Sequence, residues 1–374
     1  MNNPYDSLSD ACFWSRAMLG PAPGHVDPVM RSRVITPADK VATIGSCFAQ
    51  HLSASIRSAG LTYYVAEAAP RGMSAEESTR RNYGVFSARY GNVYTVRQAL
   101  QLLERSLGRF SPIDAVWARD GGFVDAFRPT IEPDVHRSPS EVTEAAHTHL
   151  QYVRDVFTCC DWLVLTLGLT EGWRSRMDGA VYPLAPGVCG GSFDAEKYEF
   201  VNFTVQEVCS DLECLVKRLS EVNPKIQILL TVSPVPLIAT YEPRHVWVST
   251  TVSKAVLRVA ADEVERRFEN VLYFPAYEIV TSPTSGTGFF ADDLRQVTPR
   301  GVAHVMRLFA KHFIQGGDQR PHVPPVGNHV SIGVNESEDI VCDEEVIDRA
   351  LRESGFERPV CSNGNAEERE RDGR

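Results

Sequence analysis

The chain reads as an α/β fold of the doubly wound type, a parallel sheet sandwiched between two layers of helices. Three observations predict it. Short apolar runs recur at Val41 to Ile44, Trp162 to Leu167, Ile226 to Val232 and Val271 to Phe274. They show no polar alternation, which marks strands buried on both faces, as in parallel sheets. Stretches with a helical period follow or precede each run, and the opening reads strand, helix, strand.

The elements can be taken in order. Residues 1 to 40 are irregular, punctuated by Pro4, Pro21, Pro23, Pro28 and Pro37. Val41 to Ile44 is the first strand; Ser46 to Ala59 is its helix, ended by Gly60. Leu61 to Val65 is the second strand. Residues 66 to 150 read as an insertion: Thr95 to Leu107 is helical, and Trp117 to Pro139 is loop-like, rich in Gly, Asp, Arg and Pro. A helix over 140 to 157 leads to the strand Trp162 to Leu167. Val205, Val208, Leu212, Leu215, Leu219 and Val222 hold a helical period that Asn223-Pro224 stops. Ile226 to Val232 is the fourth strand. A helix over Val252 to Phe268 precedes the fifth strand, and the last helix covers Pro299 to Phe313. Residues 1 to 315 thus form one domain. Beyond Gly316 the composition turns Pro-rich and acidic, which predicts a flexible tail over 316 to 374 with one short helix at Asp343 to Glu353.

Composition limits the function. The 374 residues allow about two domains, or one large α/β domain, at about 150 residues each. With 38 basic against 48 acidic side chains the net charge is −10, which argues against binding nucleic acid or an anionic membrane surface. No apolar run reaches the ~20 residues of a membrane span, and Met1 to Gly20 lacks a signal-peptide pattern. The nine cysteines are odd in number and irregularly spaced, and Cys159 and Cys160 are adjacent. That pattern predicts free thiols in a reducing cytoplasm. Nothing has zinc spacing, since His147 and His149 fall on different helix faces, so no metal is expected.

In doubly wound sheets, sites form beyond the carboxyl ends of the strands. The first strand runs into Gly45-Ser46-Cys47-Phe48-Ala49. A cysteine at a helix N-terminus has a lowered pKa and is a ready nucleophile, and backbone N–H groups there can receive an oxyanion. His51 lies one turn further along the same helix.

Those five residues spell the motif of the GSCFA family. Gln50-His51, Leu167-Gly168-Leu169-Thr170-Glu171, Thr231 to Pro236 and Ser253 to Arg258 resemble further family segments, in order. The chain is identified as a member of that family over roughly residues 10 to 315. The family resembles the SGNH (GDSL-type) esterases and acyltransferases. This implies a three-layer fold with a five-stranded parallel sheet in flavodoxin-like order. It also implies Cys47 at the nucleophile position, with Ser46 at the Asp position of a Gly-Asp-Ser turn; Ser46 is the lesser candidate. Gly91-Asn92 match the oxyanion-hole glycine segment. Gly168-Leu169-Thr170-Glu171 match Gly-x-Asn-Asp only in the glycine, leaving the Thr170 hydroxyl as donor. Asp293-Leu294-Arg295-Gln296 stand in the Asp-x-x-His register, so Gln296 replaces the expected histidine and cannot shuttle a proton.

Another base is therefore needed. His245, in a loop after the fourth strand, and His51 are the candidates, while His304 reads as a packed residue of the last helix. Ser233 follows the fourth strand and should flank the pocket. Arg244, Lys254 and Arg258 could receive an anionic group of the substrate. The resulting expectation is an esterase or acyltransferase working through a Cys47 thioester on a small-molecule or carbohydrate ester. It would need no cofactor, with acyl-coenzyme A as a co-substrate. A binding module that kept the fold and lost the base is the other reading.

Overall fold

The computed structural model describes residues 3–21, 26–284 and 288–317. The acidic tail expected beyond Gly316, with its helix at 343 to 353, lies almost wholly outside the described residues.

In chain order, α1 (Trp14–Leu19) precedes β1 (Lys40–Gly45), α2 (Cys47–Ser58) and β2 (Thr62–Tyr63). Next come α3 (Ala75–Arg80), α4 (Val96–Ser106), β3 (Val116–Arg119), β4 (Gly122–Asp125), α5 (Pro139–Cys159) and β5 (Trp162–Leu167). Then follow β6 (Glu171–Ser175), β7 (Val181–Tyr182), β8 (Tyr198–Asn202), α6 (Val205–Val222) and β9 (Gln227–Val232). The described fold closes with α7 (Val246–Arg267), β10 (Val271–Tyr273), α8 (Ala276–Thr281) and α9 (Pro299–Phe313).

The main sheet has five parallel strands in the order β10-β9-β5-β1-β2. Counted by appearance within the sheet this is 2-1-3-4-5, the flavodoxin-like order. Its point of reversal lies between β1 and β5, where such sheets place their sites. The middle strand is β5, and β1 is its neighbour.

Side-chain alternation divides the sheet between two cores. Ala42, Ile44, Leu163, Leu165, Ile228 and Leu230 point to one face. There Leu103 of α4, Phe157 of α5, Leu212 of α6 and Leu257 of α7 cover them. Val41, Trp162, Val164, Leu229 and Leu272 point to the other face, under Phe48 and Leu52 of α2 and Leu308 and Phe309 of α9. Each helix presents an apolar stripe because its large residues recur three and four apart. Most are also capped. Thr95 and Thr204 each head a reciprocal capping box, with Gln98 and Glu207 respectively.

Three stretches depart from the sequence expectation. The loop-like segment from Trp117 holds the β3–β4 hairpin, whose tip is Asp120-Gly121. The segment after Gly168 folds into an antiparallel sheet in the order β7-β6-β8. Both were hidden because their strands are only two to five residues long, too short to show a clear alternation. Helix α7 starts at Val246 rather than Val252, because His245 caps it.

Candidate active site

Gly45 ends β1 with φ at +153°. A Cβ there would lie 2.6 Å from Thr166 Cβ and 2.7 Å from Thr166 O, so only glycine lets β1 lie this close to β5 at its carboxyl end. Ser46 is the N-cap of α2, buried and without a side-chain cap bond. Cys47 is the first residue of α2 and is half-buried, in no disulfide. The N–H groups of that first turn, of which Ala49 N donates to Ser46 O at 2.9 Å, and the positive end of the helix dipole lie at the same end of α2 as Cys47.

The segment Gly91 to Tyr94 crosses above the strand ends. Gly91 takes φ at +72°. The Asn92 side chain is buried and accepts from Gln50 Nε2 of α2 at 3.4 Å. Val93 N–H donates to Gly45 O at 2.9 Å, and Tyr94 O accepts from Gly168 N at 3.2 Å and Leu169 N at 3.0 Å. This strap therefore ties the end of β1 to the end of β5.

On the far side of the strap stands Lys254 of α7, which is 2% exposed. Its Nζ donates to Gly168 O at 2.6 Å. Burial pushes its pKa down to about 7. The charge of Cys47 pulls it back up and that of Arg295 pushes it further down, so sulfur, ammonium and guanidinium share one electrostatic neighbourhood. The sequence suggested Lys254 only as an anion receptor. Its packing was legible nonetheless: Lys254, Leu257, Ala261 and Val264 lie at i, i+3, i+7 and i+10, on the face α7 buries.

The other expected residues take different places. The Thr170 hydroxyl donates to Asn202 Oδ1 at 2.7 Å, and its N–H donates to Ser253 Oγ at 3.0 Å, so its hydroxyl is already committed. Glu171 accepts from Thr240 Oγ1 at 2.7 Å and from Tyr241 N at 3.2 Å; burial raises its pKa despite these bonds. Ser233 is buried beside β5, its N–H on Leu167 O at 2.9 Å. Arg244 donates to Ser249 Oγ at 3.0 Å and pairs with Glu242, so it is part of a surface network. Arg258 pairs with Glu278 at 2.8 Å.

Each of the three histidines weighed from the sequence has a packing or hydrogen-bonding partner among the described residues. His245 is exposed at the start of α7, and its Nδ1 accepts from Trp247 N at 3.1 Å as a helix cap. His51 packs edge-on against Phe48, and burial pushes its pKa down to about 4, so it stays neutral near pH 7. His304 packs on Phe289 and lies 3.3 Å from Arg307.

Gln296, which stands at the expected histidine's place in the register, is exposed. Asp293 is also exposed and accepts from the N–H groups of Arg295 and Gln296 at 2.9 Å, closing a tight turn. That turn sends Arg295 inward instead. Its Nε donates to Pro236 O at 3.2 Å, at the end of the β9 loop. A cavity of about 220 Å³ opens on this edge of the sheet, lined by Tyr94, Gln98, Leu169 and Glu171 but not by Cys47. Among the described residues, no group of His, Cys, Asp and Glu side chains converges on a metal site.

The chain matches the model of the GSCFA family over residues 40–309, which takes in all five strands of the main sheet and both ends of the strap. It belongs to the GSCFA family. No curated protein matches it. Among solved structures it is similar to a carbohydrate esterase family 2 enzyme with a carbohydrate-binding domain from Corynascus thermopiles (Myceliophthora fergusii). That likeness has 14% identity over 76% of this chain and 67% of the other, with a TM-score of 0.30. It is also similar to a variant of an acetyl-xylooligosaccharide esterase from Geobacillus Stearmophilus, at 15% identity over 75% of this chain and 96% of the other, with a TM-score of 0.29. In this GSCFA chain, then, the motif cysteine and a buried lysine occupy the reversal point of the sheet. Among the described residues, no helix is long and apolar enough to cross a membrane.

Proposed function

We propose that the protein is an SGNH-like esterase or acyltransferase in which Cys47 carries the acyl group and Lys254 handles the proton. The observation that carries this reading is the buried Lys254, its pKa pushed down to about 7, in the field of Cys47 at the reversal point of the sheet. A group that titrates near the working pH is the best general acid and base. A cation beside the sulfur and at the helix N-terminus favours the thiolate.

In the first half-reaction the Cys47 thiolate attacks the carbonyl carbon of an ester or thioester, forming the C–S bond. The first-turn N–H groups of α2 and the Gly91 segment stabilise the oxyanion. The C–O or C–S bond to the leaving group breaks, and protonated Lys254 gives that group its proton. In the second half-reaction neutral Lys254 takes the proton of water or of an acceptor hydroxyl as it attacks the thioester, and the thiolate leaves. A hydroxylated acceptor such as a carbohydrate, with acyl-coenzyme A as donor, suits a thiol carrier because thiols exchange readily with thioesters.

Intact mass after incubation with acyl-thioesters and activated esters tests the reading. One acyl increment on the wild type, absent from Cys47→Ala, is expected. Lys254→Met should slow turnover by about 100-fold or more. It should also remove the inflection near pH 7 in the rate of Cys47 alkylation by iodoacetamide. No adduct with any donor, or an unchanged inflection in Lys254→Met, would overturn it.

The Lys254–Gly168 bond also favours a second reading. A lysine spent on holding a strand end is what a non-catalytic binding module would keep. Lys254→Met would then unfold the strap without altering alkylation of Cys47 in the folded fraction.

A further inference from the structure

We infer that the cavity beside the strap is an acyl pocket that selects an apolar acyl group longer than acetyl. This rests on the reading of Cys47 as acyl carrier and names the substrate class of that same site. The cavity has a volume of about 220 Å³. A dry cavity of ~150 Å³ already holds a benzene ring, so this one has room for a six-carbon chain or an aryl group, far more than a methyl.

Its walls are apolar. Leu169, Trp173, Leu184, Val188, Leu237 and Ile238 all line it. Most polar atoms at its edge are occupied by the protein itself. The Tyr182 hydroxyl donates to Asp114 O at 2.9 Å. Both Glu171 oxygens are bonded, to Thr240 and Tyr241. Gln98 Oε1 accepts from Tyr94 N at 3.1 Å and Thr95 N at 2.9 Å, which leaves its amide nitrogen as a donor at the rim. A wall of this kind gives a sugar ring few partners for its hydroxyls and gives a hydrocarbon chain close contact.

The cavity is also in the right place. Leu169 and Tyr94 form its inner wall and are bonded to each other through Tyr94 O. The next residue back, Gly168, holds Lys254, which feels the charge of Cys47. An acyl carbonyl at the strap would direct its tail between Leu169 and Leu237.

The test has two arms. In turnover, esters of one alcohol with acetyl, butyryl and hexanoyl groups should show kcat/KM rising about fourfold per methylene, roughly 250-fold over the four added methylenes. In binding, the Cys47→Ala protein is titrated with methyl hexanoate and methyl acetate while tryptophan emission is followed, with Trp173→Phe as the control that assigns the signal. Hexanoate should bind at least tenfold tighter than acetate. Ala185→Trp fills the pocket and should bring the two esters together. Val188→Phe narrows the pocket from the same loop and serves if Ala185→Trp does not fold. Equal binding of both esters, or a preference untouched by a folded pocket variant, overturns the inference. Hexanoate binding without acylation of the wild type leaves the pocket standing and removes Cys47 as carrier.

Discussion

Lys254 has an ammonium that the fold strips of water and places on one carbonyl, with a sulfur and a guanidinium as its charged neighbours. Burial takes its pKa from the ordinary 10.5 down to about 7 on folding. Between these values the unfolded chain binds more protons than the folded one, so stability rises with pH across that window. The favourable contribution is complete above the unfolded value and is lost as pH falls through about 7. Each pH unit in the window is worth at most about 1.4 kcal/mol. Urea midpoints measured from pH 7 to 10 should therefore climb in the wild type and flatten in Lys254→Met. At Gly45 the constraint is steric. Gly45→Ala puts a methyl inside Thr166, and we expect a loss of at least about 3 kcal/mol, read from the urea midpoint. A shift below 1 kcal/mol would mean that β1 can move away from β5.

The element that matters most is the strap and the helix it starts. Thr95 caps α4 with its hydroxyl on Gln98 N at 3.2 Å, while Gln98 Oε1 returns to Thr95 N at 2.9 Å. This box fixes the end of the strap, whose Tyr94 carbonyl holds the N–H groups of Gly168 and Leu169. Thr95→Ala should cost about 1 kcal/mol in thermal or chemical unfolding, and Thr95→Ser most of an order less. Helix α7 works at the same scale. Its N-cap took His245 out of the loops, and its buried face brought in Lys254. The one helical register thus makes His245 a cap and places Lys254 on the buried face.

Across the whole molecule the strap is backed by a buried charge network. The Arg89 N–H donates to Glu67 Oε2 at 2.7 Å, and the same oxygen lies 2.7 Å from His149 Nδ1. Arg128 donates to Asp125 at 2.8 Å and to Arg89 O at 3.2 Å. Burial, then the charge of Arg128, pushes the His149 pKa down to about 4. Burial raises Glu67, but the His149 bond and Arg128 outweigh it, and its pKa ends lowered. Both depressed groups contribute stability that is present at neutral pH and lost on acidification. For His149 the window runs from the ordinary 6.5 down to about 4. His149→Gln should reduce the slope of stability against pH within that window and leave it unchanged above pH 7. An unaltered slope would show that His149 titrates in the fold as it does in the unfolded chain.

The sequence by itself determined the layers. Uninterrupted apolar runs can be buried only on both faces, and helical stripes supply the cover. Hence the five strands, the covering helices and the strand–Gly45-Ser46-Cys47–helix junction were legible from periodicity and turn chemistry. The family motif placed Cys47 and Gly168 at strand ends for the same local reason. What only the tertiary structure decided was which side chains meet. His245, Gln296 and Thr170 have the right chemistry and the right approximate place. A helix cap, an exposed turn and a bond to Asn202 claim them, and each depends on where a neighbouring chain segment runs. Lys254 is far from Cys47 in sequence and joins it only because β1 and β5 are neighbours and α7, packed on β9 and β10, reaches the Gly168 carbonyl at the end of β5. Its lowered pKa comes from the loss of its water, and burial is a property of the assembled fold that no local stretch of sequence contains.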